Sequence, residues 1–159
     1  MSAAIAMPGE ASGAPERLAA QSASTSVSQF VTFKARDRRF GIDVLQVREI
    51  RSWVPTTEIP DQAHAACGVL DIRGEIIQVF DFAKLLGEGV TSATSSHVVL
   101  VLSLEERTFG ILVDAVTDIA TVESENLLPS PNGDGLVSSI MRKDGEITTI
   151  LDLSRIAMR

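Results

Sequence analysis

The chain has 159 residues, of which 45% are hydrophobic, so it is long enough to bury a core as one domain or two small ones. Only 4% are aromatic, which leaves Val, Ile and Leu to build that core and favours strands. The net charge of −7 argues against a nucleic-acid binder or a polybasic membrane anchor. No stretch approaches the ~20 apolar residues that cross a bilayer, so we expect no direct membrane insertion.

Residues 1–27 are rich in Ala, Ser, Gly and Pro and carry few charges. This composition is typical of chain that cannot bury enough apolar surface to fold. We therefore predict a disordered N-terminal tail over 1–27 and a folded domain over 28–159.

The folded part contains an internal repeat. Phe40 to Ile50 aligns with Phe109 to Ile119 at an offset of 69, and six of the eleven positions are identical. Further along, Gly74-Glu75-Ile76 aligns with Gly145-Glu146-Ile147 at an offset of 71. The sequence thus divides into halves at about 28–87 and 97–158, joined by a Ser- and Thr-rich linker.

Each half holds several short strands separated by glycines and charged turns, which is typical of a small barrel or sandwich. A unit of this length buries too little surface to be stable alone, so the two should share a core. We predict few helices. Asp81 is placed to cap a short helix that stops at Gly87, Asp61 to begin another, and Ser154 to cap a last turn.

No arrangement of residues indicates catalysis or metal binding. His64 and His97 are far apart, and Cys67, the only cysteine, has no evident base partner, so a buried small thiol is the favoured interpretation. Asp81 and Asp152 occupy equivalent repeat positions before a helix start, which favours helix caps over a catalytic pair. We predict a protein that is not an enzyme and needs no cofactor or metal.

Two segments carry a family resemblance. Phe40 to Ile50 resembles the aromatic-Gly-Ile-Asp and Val-x-Glu-Ile elements of the CheW family. Gly68 to Phe82 is similar to that family's central motif, Gly-Val-x-Asn-Leu-Arg-Gly-x-Ile-x-Pro-Val-x-Asp-Leu, with Asp71 in place of Asn and Gln78 in place of Pro. The resemblance covers about residues 28–157.

The resemblance implies two SH3-like five-stranded β-barrels packed on a common core, which agrees with the repeat. It also implies a scaffold or adaptor that couples chemoreceptors (methyl-accepting chemotaxis proteins) to the histidine kinase CheA. Its partners would be that kinase and the cytoplasmic tips of the receptors. Such a protein would be cytoplasmic and recruited to membrane-associated receptor arrays.

The resemblance places a receptor-binding groove at Val47, Glu49, Gly68, Arg73 and Gly74. Alternatives remain for three of these residues: Arg73 could form an internal salt bridge with Asp71 or Glu49, Glu49 could be a solvated strand residue, and Val47 could be core. A kinase contact is placed at Ile76, although its repeat mate Ile147 favours core packing for both.

Three other functions are open. The chain could be a CheW-like paralogue in a non-flagellar pathway, such as one that controls pili. It could fill a receptor array while binding only one partner. It could also be a ligand-binding β-barrel or an enzyme with a pocket between the halves, for which a deep polar cleft is expected.

Overall fold

The structure is a computed structural model that describes residues 26–60, 64–131 and 135–157. The strands are β1 (Val27–Ala35), β2 (Arg38–Asp43), β3 (Val47–Ser52), β4 (Ala66–Ile72), β5 (Glu75–Asp81), β6 (Val98–Leu104), β7 (Arg107–Val113), β8 (Ala115–Glu123), β9 (Leu127–Pro129), β10 (Val137–Lys143) and β11 (Glu146–Leu151). The helices are α1 (Phe82–Leu85) and α2 (Leu153–Ala157). The expected tail, up to residue 25, and the expected helix start at Asp61 lie outside the described residues.

The strands form two sheets, with the orders β8-β1-β2-β11-β10-β9 and β3-β6-β7-β5-β4. The predicted fold class, mainly β with two β subdomains and a few short helices, is confirmed. The six-stranded subdomain carries one more short strand, β9, than the five expected.

The first hairpin of each sequence half lies in the other half's sheet. Hairpin β1–β2 sits between β8 and β11, while hairpin β6–β7 sits between β3 and β5. In each sheet one strand of the exchanged hairpin forms a parallel pair with a strand of the other half: β2 pairs with β11, and β7 pairs with β5. The expectation that 28–87 and 97–158 each form their own barrel is therefore wrong, because each hairpin finds its strand partners in the other half.

The strands follow the alternation of their side chains. In β4, Ala66, Leu70 and Ile72 are buried while Asp71 between them is exposed, as expected of a strand with one face on a core. Phe33 and Phe40 of the first hairpin contact Phe82 of α1, with ring centroids 5.4 and 4.8 Å away. The same buried cluster contains Leu100, Phe109 and Leu151, so it joins residues from both halves, as predicted for units too small to fold alone.

Gly41 and Gly110 lie where each exchanged hairpin pairs with its parallel neighbour, and both have little room for a side chain, although the atom that crowds Gly110 most is on its own hairpin. A Cβ at Gly41 would lie 2.8 Å from Ile150 Cδ1, and one at Gly110 would lie 2.9 Å from Val99 Cγ1. Since real Cβ contacts are longer, only glycine fits both positions without a shift.

Each of the two α-helices in the described residues begins at an aspartate. Asp81 Oδ1 accepts a hydrogen bond from the Ala83 N–H at 3.0 Å, and Asp152 Oδ1 accepts one from the Ser154 N–H at 3.0 Å. The expected cap at Ser154 is wrong, because its hydroxyl donates to Asp152 from inside the first turn. None of the helices in the described ranges is long and apolar enough to cross a membrane.

Candidate functional site

The turn between β4 and β5 holds two of the candidate receptor-binding residues. Ile72 pairs with Glu75, so Arg73 and Gly74 alone form the loop, with φ angles of +55° and +86°. Two positive φ angles are the hallmark of the type I′ turn, which matches the twist of a hairpin. Asp71 Oδ1 accepts a hydrogen bond from the Gly74 N–H at 2.9 Å. An asparagine offers the same oxygen, so the departure from the family motif at position 71 leaves the turn intact.

Arg73 reaches Glu49 on β3, the other edge strand of the same sheet. Its Nη2 lies 3.3 Å from Glu49 Oε1, which makes Glu49, and not Asp71, the ion-pair partner. The Arg73 side chain is 78% exposed and that of Glu49 only 18%. Arg51 Nη1 lies 3.6 Å from the same carboxylate oxygen. The Glu49 carboxylate thus holds one edge of the Arg73 guanidinium group, and the rest of the group is exposed to solvent.

Val47 and Gly68 serve packing. Val47 opens β3, pairs with Leu102 and packs, partly buried, against the shared core, as the core alternative expected. Gly68 has φ +135°, and a Cβ there would lie 2.6 Å from Thr56 Oγ1. Of the five candidates, the structure therefore joins Glu49, Arg73 and Gly74 at one surface and assigns packing contacts to the other two.

Ile76, the candidate kinase contact, lies on β5 beside this turn. Its side chain is 64% exposed, and that of its repeat mate Ile147 is 67% exposed. The alternative of core packing is therefore wrong for both residues, because the inward-facing neighbour of Ile76 is Ile77, which is 1% exposed. An exposed isoleucine at equivalent positions of both subdomains is a feature that the sequence did not reveal.

Sequence reasoning also missed a second ion pair beside the turn. Arg48 Nη1 lies 3.0 Å from Glu75 Oε1 and donates a hydrogen bond to Thr108 Oγ1 at 3.2 Å. Arg48 precedes Glu49 in the repeated segment, and this position is the feature of the sequence from which the pair could have been suspected. The surface around the turn therefore holds two ion pairs, Arg73–Glu49 and Arg48–Glu75, beside the exposed Ile76.

The described residues show no catalytic arrangement around the single thiol. Cys67 is half-buried, and burial, with a smaller effect of the nearby Asp81 charge, raises the pKa of its thiol to about 11. Its Sγ donates to the Val79 carbonyl at 3.5 Å. No group of three or more His, Cys, Asp or Glu side chains within 26–60, 64–131 and 135–157 is arranged to hold a metal ion.

Comparison with known proteins relates this arrangement to chemotaxis proteins. The chemotaxis protein CheW of Rhizobium meliloti is 36% identical over 104 residues, which cover 65% of this chain and 67% of that protein. The chemotaxis protein CheW of Bacillus subtilis is 23% identical over 133 residues, covering 80% of this chain and 85% of that one. The crystal structure of the scaffolding protein TtCheW from Thermoanaerobacter tengcongensis matches with a TM-score of 0.72 at 25% identity, covering 79% of this chain and 84% of that one.

The family comparison covers nearly all of the described fold. The CheW-like domain matches residues 29–159, which include both sheets and the exchanged hairpins. This match confirms the resemblance predicted over about residues 28–157, and the chain belongs to the CheW-like domain family.

Proposed function

We propose that this chain is a chemosensory adaptor that couples the cytoplasmic tips of chemoreceptors to a CheA-type histidine kinase. Membership of a family whose named relatives are chemotaxis and scaffolding proteins supports an adaptor rather than an enzyme. The observation that carries the proposal is the exposed guanidinium of Arg73, held by Glu49 on a two-residue turn. The protein would act in the cytoplasm, at the receptor array.

Receptor recognition would use the turn and the edge strand β3. A receptor tip is a helical hairpin, and helices present carboxylate side chains and, at their C-terminal ends, unsatisfied carbonyls. Arginine offers five donors in a planar fork, so the edge not used by Glu49 is free to bind such acceptors. Gly74 has no atom within 4 Å of the position that a Cβ would occupy, so the partner's backbone could approach it closely.

Kinase recognition would use the exposed face of β5, next to the turn. Ile76 is the candidate there, because an exposed isoleucine on a strand is suited to cover an apolar patch of a partner. Transient signalling interfaces are often below ~1,200 Å² in total, so a single apolar anchor would carry much of the affinity.

The test measures two affinities on one variant. Arg73→Ala should weaken binding to a receptor-tip fragment about 10- to 100-fold, in line with ~1–3 kcal/mol for a charged hot-spot contact. Binding to the kinase and the melting temperature should change little, because an exposed ion pair contributes at most ~1 kcal/mol to stability. Arg38→Ala is the matched control, since Arg38 is 53% exposed and pairs with Glu88 away from the turn.

A charge swap separates receptor contact from internal pairing. The double variant Glu49→Arg with Arg73→Glu restores the ion pair but presents a carboxylate to the receptor. Receptor binding should stay weak in this variant if Arg73 contacts the receptor. Full recovery, or a parallel loss of both partners in Arg73→Ala, would show instead that the pair only supports the fold and would remove Arg73 from the site.

A further inference from the structure

A cavity of about 260 Å³ lies on the six-stranded sheet, between strands β1 and β8 on one side and hairpin β10–β11 on the other. Threonines form much of its wall. The hydroxyl oxygens of Thr32 and Thr117 lie 2.8 Å apart, and each lies 3.1 Å from a backbone carbonyl oxygen, so one hydroxyl donates to the other, which in turn donates to its carbonyl. Thr148 is only 4% exposed, and its hydroxyl has no hydrogen-bond partner within the described ranges. A buried polar group without a partner indicates a missing ligand or solvent.

The other subdomain shows that the fold does not require this cavity. In the five-stranded sheet, Val101 occupies the position that Thr32 has in the six-stranded sheet, and Ile77 occupies that of Thr148. The residues that they pair with on neighbouring strands are equivalent in the repeat. Val101 and Ile77 are each 1% exposed in an apolar cluster. The six-stranded subdomain therefore carries hydroxyl-bearing side chains at two sheet positions where the other subdomain has buried aliphatic ones.

The charged residues at the rim of the cavity also differ between the two subdomains. Asp118 stands where the other subdomain has Glu49, and Asp144 stands at the turn position of Arg73, with the same left-handed backbone at φ +53°. An ion pair in one subdomain thus becomes two carboxylates in the other. Asp118 Oδ1 accepts from the Ile119 N–H at 2.7 Å, and the Asp144 carboxylate has no partner within 26–60, 64–131 and 135–157.

The two cationic side chains of the cavity already have partners. Arg39 Nη1 lies 2.6 Å from Glu146 Oε1, and Lys143 Nζ donates to the Thr121 carbonyl at 2.8 Å. Both side chains keep N–H donors that these contacts do not use, but the charges of Arg39 and Glu146 offset each other, and Asp118 and Asp144 outnumber Lys143. The cavity therefore has an excess of carboxylate charge, which favours a ligand that carries positive charge.

We propose that this cavity binds a small organic cation, a guanidinium or primary ammonium group on a short aliphatic chain. The charged head would donate to Asp118 and Asp144 at the rim, and one N–H would reach the Thr148 hydroxyl. The chain would lie on Ala120 and Met141, which also line the cavity. The volume fits a head group with a few carbons and is too small for a drug-sized ligand.

The experiment is an NMR titration of the full chain with agmatine, followed by the methyl signals of Ala120, Met141 and Thr148. We expect saturable shifts at these methyls. Asp144→Asn, Asp118→Asn and Thr148→Val should each weaken binding at least 10-fold. Glu105→Gln, which removes one negative charge from the turn between β6 and β7, is the matched control and should bind as the parent does. Propylurea, which is uncharged but similar in shape to an alkylguanidinium, should produce no saturable shift.

Three results would overturn the proposal. Shifts that do not saturate would show general attraction of a cation to an acidic protein. Equal binding of propylurea would show that charge is not recognised. Equal weakening in Glu105→Gln and Asp144→Asn would show that the net charge of the chain, and not this cavity, holds the cation.

Discussion

We expect Gly68→Ala to destabilise the fold by about 3 kcal/mol, although the family resemblance places Gly68 at the receptor-binding surface. A side chain at φ +135° adds ~1–3 kcal/mol of backbone strain. The new methyl would also lie 2.7 Å from the Thr57 carbonyl oxygen, which accepts a hydrogen bond from the Val69 N–H at 2.8 Å. Overpacking against such a fixed backbone costs ~1–3 kcal/mol. In a domain of this size the melting temperature should fall by roughly 10 °C.

Gly74→Ala is the matched control, because it shares the positive φ but not the crowding. No atom lies within 4 Å of its Cβ position, so strain alone should lower the free energy of unfolding by ~1 kcal/mol. Thermal unfolding of both variants, followed by circular dichroism, measures the difference. Equal stability of the two, or a Gly68→Ala protein as stable as the parent, would refute the packing role of Gly68. If a fully folded Gly68→Ala protein bound the receptor more weakly than the parent, Gly68 would belong to the receptor-binding surface.

Two further predictions concern buried groups. Asp81 is 1% exposed and accepts hydrogen bonds from Ala83 and from both the N–H and the hydroxyl of Thr91, so Asp81→Ala should cost about 3 kcal/mol or more in urea unfolding. Asp152→Ala should cost only ~1 kcal/mol, since Asp152 is a more exposed cap, and equal losses would contradict this account. The thiol pKa of about 11, against an ordinary 9.0, predicts that Cys67 reacts with iodoacetamide at pH 8 about 100-fold more slowly in the folded than in the urea-unfolded chain. Similar rates in both states would show that the thiol is not desolvated.

The strands could be predicted from the sequence because the repeat marks them twice. Phe40 to Asp43 and Phe109 to Leu112 carry the same pattern at an offset of 69, and both form the second strand of a hairpin. The exchange of these hairpins could not be predicted. The buried side chains of a hairpin are the same whichever sheet it joins, so a repeated sequence fits both arrangements equally well.

Only part of the candidate site could be predicted from the sequence, because the contacts of its residues depend on how the strands are arranged. The motif drew attention to Arg73, but the choice between Asp71 and Glu49 as its partner depends on which strand lies beside the turn. Ile76 was placed at a kinase contact by the resemblance, and core packing was the alternative because its repeat mate Ile147 is also an isoleucine. Alternation along β5 and β11 instead buries the next residue of each strand and turns both isoleucines outward.

The exchanged hairpins also limit how this protein could transmit a signal. The two sequence halves cannot separate without breaking the pairing of β2 with β11 and of β7 with β5. Rotation of one sheet against the other would open the core that contains Phe40 and Phe82. A hinge between the subdomains is therefore excluded by the same contacts that stabilise them. A partner at the Arg73 turn can shift this protein as a rigid body but cannot easily bend it. A signal would then change the position of the molecule and the strength with which its partners bind it, rather than its internal conformation.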